Sequence, residues 1–185
     1  MRDHQIELSY GAEELPAYIR RILMSGNCDA LRRAVCFTDP EGVCHLRFDC
    51  SGTAVMKDIL AEDAGILLER YKMLLKMMEK ICAAVIRAGD YLIPPEYLCL
   101  DAERIFFQKE PPAAFLLPAP SDAIRTNKAE GLGARLVRLL EEIHQAFPQL
   151  GADVAAARLE QEAAASIPDA AQLRRLFSLW LAELK

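Results

Sequence analysis

The sequence is poor in the residues and motifs that most often carry out catalysis or hold a metal ion. Its three histidines, His4, His45 and His144, have no local partner pattern that is typical of a nucleophile–base pair. Its six cysteines include no CxxC pair, so we expect reduced thiols within the core and no disulfide framework or zinc ribbon. Glycine-rich phosphate-binding motifs and a metalloprotease His pair are missing as well. We therefore expect no cofactor, no bound metal and no catalytic residues.

Long hydrophobic runs and basic clusters are also missing. No run of 18 apolar residues occurs, and the first residues, MRDHQIELSYG, lack the apolar core of a signal peptide. This pattern predicts a cytoplasmic chain without direct membrane insertion. The net charge is −5, and no Lys/Arg cluster with interleaved aromatic residues appears, which argues against nucleic acid as a partner.

What the sequence does contain is typical of one α+β domain. Its 185 residues, 52% of them hydrophobic, are enough for a single sizeable core. We expect one domain spanning residues 1–185, with a small β-rich part at about 1–50 and a helical part at about 51–185. Residues 64–88 form the most apolar helical pattern, and their charges nearly share one stripe, so this helix should be the centre of the core.

The N-terminal part is predicted to hold a strand at residues 5–10, a helix at 15–24 and a β-hairpin. The hairpin turn is Asp39-Pro40-Glu41-Gly42, a type I turn signature between strands 34–38 and 43–49. A four-residue loop would place Thr38 opposite Val43 and Cys36 opposite His45. We interpret the Cys36–His45 pair as part of an outward polar face, the alternative being two ligands of a metal site. The core face would then consist of Val35, Phe37, Cys44, Leu46 and Phe48.

The rest of the chain is predicted to be mainly helical. A helix at 54–60 would be capped by Ser51 or Thr53, and short strands are expected at 98–100, 105–107 and 114–117. The last two strands would form a hairpin around a turn at residues 110–112. Residues 118–130 have the composition of a polar, mobile linker, and helices are expected at 131–147, at 152–165 and from Pro168 onward.

The last helix carries a wide apolar stripe. We favour docking of this stripe on the core, because it contains the only Trp of the chain. Two alternatives remain, a partner-binding helix and a homodimer that forms through the stripe. The candidate interaction residues are Leu173, Phe177, Trp180 and Leu184.

The order of the predicted elements resembles the later two-thirds of a protein kinase. FDCSGTAVMKDIL is similar to the kinase hinge and the helix after it, residues 66–88 to the buried helix before the catalytic loop, and DAERIFF to the end of that loop. In this register Cys99 stands at the position of the catalytic Asp and Arg104 at that of the metal-binding Asn. An alternative register puts Leu92 and Tyr97 there. Either register implies a kinase-like fold that lacks catalysis, since phosphoryl transfer depends on those charges.

A closer resemblance is to a bacterial domain of unknown function that occurs N-terminal to forkhead-associated (FHA) domains in Gram-positive bacteria. The matching residues are Asp-Cys-Ser-Gly at 49–52, Leu-Cys-Leu-Asp-Ala-Glu-Arg-Ile at 98–105 and Leu-Pro at 117–118. That domain is similar to the pseudokinase-like cytoplasmic domain of a type VII secretion membrane component. The resemblance implies a degenerate, pseudokinase-like fold and a non-catalytic scaffold that binds protein partners.

A second hypothesis is a small-molecule-binding or enzymatic domain that uses a cleft between the hairpin and the helical part. Its candidate residues are Cys99, Asp101 and Arg104. The simpler interpretation, which we favour, is that Asp101 forms a turn, Cys99 packs inside and Arg104 lies on the surface. Convergence of the three side chains in an open cleft would favour the second hypothesis.

Overall fold

The computed structural model of the chain describes residues 5–11, 13–62, 66–108, 112–165 and 168–184. Within them the fold is α+β, with two small antiparallel sheets and seven α-helices. His4, Asp63 and the predicted turn at Glu110–Pro111 lie outside the described residues. One hydrophobic cluster extends from Leu8 near the start of the chain to Trp180 in the last helix.

The first sheet contains strands β1 (Gln5–Tyr10), β2 (Ala34–Thr38) and β3 (Cys44–Asp49) in the order β1-β3-β2. Helix α1 (Ala17–Ser25) connects β1 to β2, as predicted. Alternation of apolar and polar residues gives β1 and β3 one buried and one outward face. The buried face holds Leu8, Tyr10, Cys44, Leu46 and Phe48.

The predicted register of the β2–β3 hairpin is wrong by one residue. Thr38 pairs with Cys44, so Val43 belongs to a five-residue turn. The Asp39 carboxylate accepts a hydrogen bond from the Val43 backbone N–H at 2.8 Å, and Gly42 has a positive φ of 85°. Because side chains alternate along a strand, the shift reverses the faces of β2. Val35 and Phe37 are therefore 68% and 42% exposed instead of buried.

Cys36 consequently points to the core side of the sheet, where its Sγ lies 3.3 Å from that of Cys44. His45 pairs with Phe37 and lies on the opposite, outward face. The predicted neighbourhood of Cys36 and His45 is thus wrong as well, and with it the geometry of a metal site between them. The other five cysteines are buried, which confirms their prediction as core residues.

The second sheet contains β4 (Ala54–Val55), β5 (Phe106–Gln108) and β6 (Ala113–Phe115), in that order. The predicted hairpin is confirmed as β5–β6. Residues 54 and 55 were predicted to be helical, but they pair with β5, and helix α2 begins only at Met56.

Helix α3 (Leu67–Asp90) is the central helix that the sequence predicts. Ten of its residues are buried, and they occupy most of its circumference between Leu74 and Ala88. After α3, the chain runs through a short 3₁₀ helix at Pro95–Tyr97 to β5.

The polar stretch at 118–130 was predicted to be a mobile linker and instead forms helix α4 (Ser121–Ala129). Two of its side chains, Ile124 and Asn127, are buried. Asn127 donates a hydrogen bond from Nδ2 to the Glu96 carbonyl at 3.0 Å. This helix depends on tertiary contacts that its weakly amphipathic sequence does not reveal.

The three C-terminal helices agree with their predictions. They are α5 (Leu132–Ala146), α6 (Ala152–Ala165) and α7 (Ala170–Glu183), and a 3₁₀ helix at Pro148–Leu150 joins the first two. Asp169 caps α7 through a reciprocal pair of hydrogen bonds with Gln172.

The apolar stripe of α7 docks on α3, which confirms the favoured interpretation. Leu173, Phe177 and Trp180 are buried, and Leu184 is half-buried against the core. Intramolecular packing covers Leu173, Phe177 and Trp180, so a partner-binding or dimerising surface made of these three side chains does not fit the structure, whereas Leu184 is only partly covered. None of the helices in the described parts of the chain is long and apolar enough to cross a membrane.

Candidate functional site

The candidate site is built on the loop that connects α3 to β5. A buried arginine of α5, Arg135, binds the backbone of this loop. It donates hydrogen bonds to the carbonyl of Pro95 at 2.8 Å and to the carbonyl of Leu98 at 2.5 Å. Its side chain is only 2% exposed. Charge-assisted bonds to backbone carbonyls in a buried setting are strong, so Arg135 fixes the path of the loop.

Sequence reasoning did not identify Arg135, although one signal was present. Arg135 precedes the buried Leu139 by four residues, and it therefore lies on the apolar side of α5. A charged residue on the buried side of a helix requires polar partners. Which carbonyls would provide them depends on a contact about 40 residues distant in the chain, which no local pattern shows.

Cys99 lies in this loop as a buried, neutral thiol. Its backbone N–H donates to the Leu117 carbonyl at 2.8 Å, and Leu98 forms an isolated bridge with Pro118 in place of the predicted strand 98–100. Burial, and secondarily the charge of Asp101, raises the pKa of the Cys99 thiol to about 12. A thiol with that pKa is protonated at neutral pH and is a poor nucleophile.

Asp101 forms the turn that the simpler interpretation predicts. Its carboxylate accepts a hydrogen bond from the Glu103 N–H at 2.7 Å, and its carbonyl accepts one from the Arg104 N–H at 2.9 Å. Arg104 is half-buried, and not a surface residue as expected. The positive charge of Arg104 partly opposes the rise of the Cys99 pKa.

The three candidate residues line one cavity of about 310 Å³. Its other walls come from α4 and α5. The cavity therefore lies within the helical part, whereas the sequence predicted a cleft between the hairpin and the helical part. The first sheet closes on this region, since the Tyr10 hydroxyl donates to the Ala119 carbonyl at 3.0 Å. The polar residues around the cavity are Asp101, Arg104, Asp122, Asn127, Arg135, Arg138 and Glu142.

The cavity is lined by charged groups of both signs. Burial, and then the neighbouring charge of Arg138, lowers the pKa of Arg135 to about 10. Partial burial of its carboxyl group, and then the charge of Asp101, raises the pKa of Glu142. Arg138 is paired with Glu130 at 2.9 Å. A neighbouring cavity of about 480 Å³ shares Asp101 and Glu142 and has a partly apolar wall that includes Phe147.

His45 has more partners than its sequence context suggested. Its Nδ1 is hydrogen-bonded to the Ser9 hydroxyl at 3.0 Å and lies 3.4 Å from a Glu7 oxygen, and its Nε2 lies 3.0 Å from an Asp39 oxygen. The Phe37 ring stacks on the imidazole with centroids 4.8 Å apart. These contacts join β1, the hairpin turn and β2 on the outward face of the sheet. Ser9, His45 and Asp39 are the residue types of a serine-hydrolase triad. Catalysis by Ser9 as a nucleophile would also require an oxyanion hole and a substrate cleft beside it.

Among the residues that the structure describes, no group of three or more His, Cys, Asp or Glu side chains could hold a metal ion. His144 lies 3.5 Å from Asp153 on the surface between α5 and α6.

Comparison with known proteins identifies no relative. The chain matches no family model, no curated protein and no solved structure.

Proposed function

We propose that this chain is a non-catalytic, pseudokinase-like interaction domain. The observation that carries the proposal is the composition of the loop after α3. In the kinase-like order of elements, Cys99 lies at the position of the catalytic base and Arg104 at the position of the metal ligand. Kinases need negatively charged or amide side chains there to activate the hydroxyl and to bind Mg²⁺. A buried thiol and a guanidinium supply neither function.

The N-terminal part supports the same proposal. A protein kinase pairs a strand Lys with a Glu of the following helix, and this pair holds the ATP phosphates. In the corresponding order here, β1 contains no Lys and α1 contains no acidic residue. The element order and these substitutions together favour a kinase-like scaffold without phosphoryl transfer.

The partner in this proposal is a protein. Ile66, which precedes α3, and the first two residues of that helix, Leu67 and Leu68, are consecutive apolar residues that are 77%, 58% and 46% exposed. They follow α2, the helix after the hinge-like segment, and exposed apolar groups of this kind occur at protein interfaces. From the resemblance of its motifs to FHA-associated domains, we infer that the chain is the N-terminal module of a bacterial signalling or secretion-related protein.

Thermal unfolding in the presence of ATP, with and without Mg²⁺, tests this proposal. We expect no saturable stabilisation by ATP beyond that of inorganic triphosphate, which serves as the control for unspecific anion binding at the arginines. Saturable stabilisation that requires both the adenosine and Mg²⁺ would contradict the proposal.

A second candidate function is the binding of a small molecule in the 310 Å³ cavity. It is favoured by one observation, the convergence of Cys99, Asp101 and Arg104 on that cavity. The volume is at the lower end of the range found for small-molecule sites, about 300–1,000 Å³. The same thermal assay with a library of metabolites tests it, and a library without a stabilising compound would count against it.

A further inference from the structure

Two cysteine side chains meet on the core side of the first sheet. Cys36 of β2 pairs with Leu46 of β3, and Cys44 precedes Leu46 by two residues, so the two thiols share one face of the sheet. Their sulfur atoms are 3.3 Å apart. A disulfide bond is about 2.0 Å long, so an approach of about 1.3 Å would join them. The fold therefore places two thiols that are distant from any CxxC motif within reach of each other.

Cys36 is the thiol of this pair that a reagent in solution can reach. It lies on an edge strand and is half-buried, whereas the other five cysteines of the chain are buried. Burial, and secondarily the hydrogen bond with Cys44, raises the pKa of the Cys36 thiol, and the positive charge of Arg20 partly opposes the rise. Since the thiolate is the reactive form, Cys36 should react slowly at neutral pH and faster in alkaline solution.

We propose that Cys36 and Cys44 form a reversible dithiol–disulfide pair that is oxidised by low-molecular-weight disulfides. The Cys36 thiolate attacks one sulfur of the small disulfide, which forms a mixed disulfide and releases one small thiolate. The Cys44 thiolate then attacks the Cys36 sulfur, and the second small thiolate leaves. The two protons of the cysteine thiols pass to the two small thiolates. The cysteine pair is thereby oxidised to one disulfide, and the small disulfide is reduced to two thiols.

The position of the pair in the hairpin favours a bond that is easily reduced again. Cys36 and Cys44 are diagonal neighbours across β2 and β3, and diagonal positions are farther apart than directly opposite ones. A bridge between them would carry strain, and strained disulfides are reduced more readily than relaxed ones. The pair therefore suits reversible oxidation and not a permanent cross-link. This inference is independent of both functions proposed above.

Oxidation of the full chain by glutathione disulfide tests the inference. The reduced protein is incubated with an excess of this disulfide at about pH 8.5, where thiolates are available. Free thiols are then alkylated, and linked peptides are identified by mass spectrometry. We expect the Cys36–Cys44 bond to be at least about ten times as abundant as any other cysteine pair, because folding has already brought these two sulfurs together. Excess reduced glutathione should restore both thiols.

Cys28 provides a matched control within the same chain. It precedes Cys36 by eight residues, just as Cys36 precedes Cys44. In concentrated urea the closure of a loop depends mainly on its length, so Cys28–Cys36 and Cys36–Cys44 bonds should form in similar amounts. A preference for Cys36–Cys44 that is present in the folded protein and disappears in urea would be a property of the fold.

Two variants separate the roles of the two thiols. Cys44→Ala lacks the second thiol, so its Cys36 should accumulate as a mixed disulfide with glutathione. Cys36→Ala should leave the buried Cys44 reduced. Thermal unfolding of the reduced variants verifies that each is folded, and the comparison of folded and urea-treated wild type decides the question without them.

Four results would overturn the inference. In the wild type they are a Cys36 that stays reduced or stops at the mixed disulfide, a Cys36–Cys44 bond that is no more abundant than Cys28–Cys36, and a bond that reduced glutathione does not open. In folded Cys44→Ala it is the absence of a mixed disulfide at Cys36. The assay also tests the register of the hairpin, because the four-residue loop would place Cys36 and Cys44 on opposite faces.

Discussion

Asp39 has two separate contacts in the β2–β3 hairpin. One carboxylate oxygen accepts the Val43 N–H at 2.8 Å and shapes the turn, and the other lies 3.0 Å from His45 Nε2. The hydrogen bond with His45 is the main cause that lowers the pKa of Asp39 below its ordinary value of 3.8. A carboxyl group whose pKa is lower in the folded state stabilises the fold when it is ionised.

We therefore expect Asp39→Asn to reduce stability at neutral pH, because the amide keeps an oxygen for Val43 but loses the charge. The contribution of the charge is complete above the unfolded-state pKa of about 3.8 and is lost as the pH falls through the lower folded-state pKa. The stability difference between the two proteins should accordingly shrink below pH 3.8. Urea unfolding over a pH series measures it.

The control for this pH series is Glu41→Gln, which removes an exposed carboxylate from the same turn. It should change stability little at any pH, since an isolated surface charge contributes little. A difference between wild type and Asp39→Asn that stays constant below pH 3.8 would contradict the assigned role of Asp39.

At the scale of the elements, the β2–β3 hairpin shows how one turn residue decides which side chains are buried. A four-residue loop and a five-residue loop both fit the Asp-Pro-Glu-Gly signature. The observed five-residue turn moves Val35 and Phe37 outward and brings Cys36 against Cys44. Arg47 then stacks over the exposed Phe37 ring, with 5.6 Å between the guanidinium carbon and the ring centroid.

This register predicts that Val35→Lys is tolerated, with a change in unfolding free energy within about 0.5 kcal/mol. Leu46→Ala, on the buried face of β3, should cost about 2–5 kcal/mol, since it leaves a cavity in the core. Chemical denaturation of both variants measures the contrast. Loss of several kcal/mol in Val35→Lys would mean that the four-residue loop and its register are correct instead.

At the scale of the whole molecule, α3 and α7 form the centre of the helical part. α7 lies against α3 with Phe177 and Trp180 buried, and their rings meet edge to face at 5.3 Å. The Arg158 guanidinium of α6 covers the Trp180 ring at 4.4 Å. Arg174 and Glu79 connect the two helices at the surface, at 3.4 Å. Burial of the aromatic rings supplies far more stability than the exposed ion pair.

We expect Phe177→Ala to destabilise the protein by about 3–5 kcal/mol, because α3 cannot fill the space that the ring leaves. Leu179→Ala is the control on the same helix, since Leu179 is 51% exposed, and it should change stability by about 0.5 kcal/mol or less. Thermal and chemical unfolding measure both. Similar losses in the two variants would show that α7 does not dock through this stripe.

Helical periodicity was the most reliable predictor in this chain. The positions of α3, α5, α6 and α7 followed from it, as did the buried face of α7, since a wide apolar stripe has to be covered. Helix α4 was not predicted, because most of its residues are polar and its stability depends on burial of Ile124 and on the contact of Asn127 with Glu96. Residues 98–100 were predicted to be a strand but form only an isolated bridge at Leu98, and residues 54–55 were predicted to be helical but form strand β4. Both predictions failed because a short apolar segment does not indicate its pairing partner.

The candidate site could be predicted only in part. Cys99, Asp101 and Arg104 were identified from one loop, and they do line one cavity. Arg135, Arg138 and Glu142 were not, because α5 is about 30 or more residues further along the chain and its packing direction is a tertiary property. The location of the cavity was also wrong, since closure of the first sheet through Tyr10 and Ala119 could not be read from either segment.

The sequence by itself determined the α+β class, the central helix α3 and the burial of the α7 stripe, because hydrophobic periodicity is a local property that burial must satisfy. Only the tertiary structure decided the register of β2, the helical state of residues 121–129 and the set of charges around Cys99. The last two depend on contacts between distant segments, and the register depends on a choice between two turn lengths that fit the same turn signature.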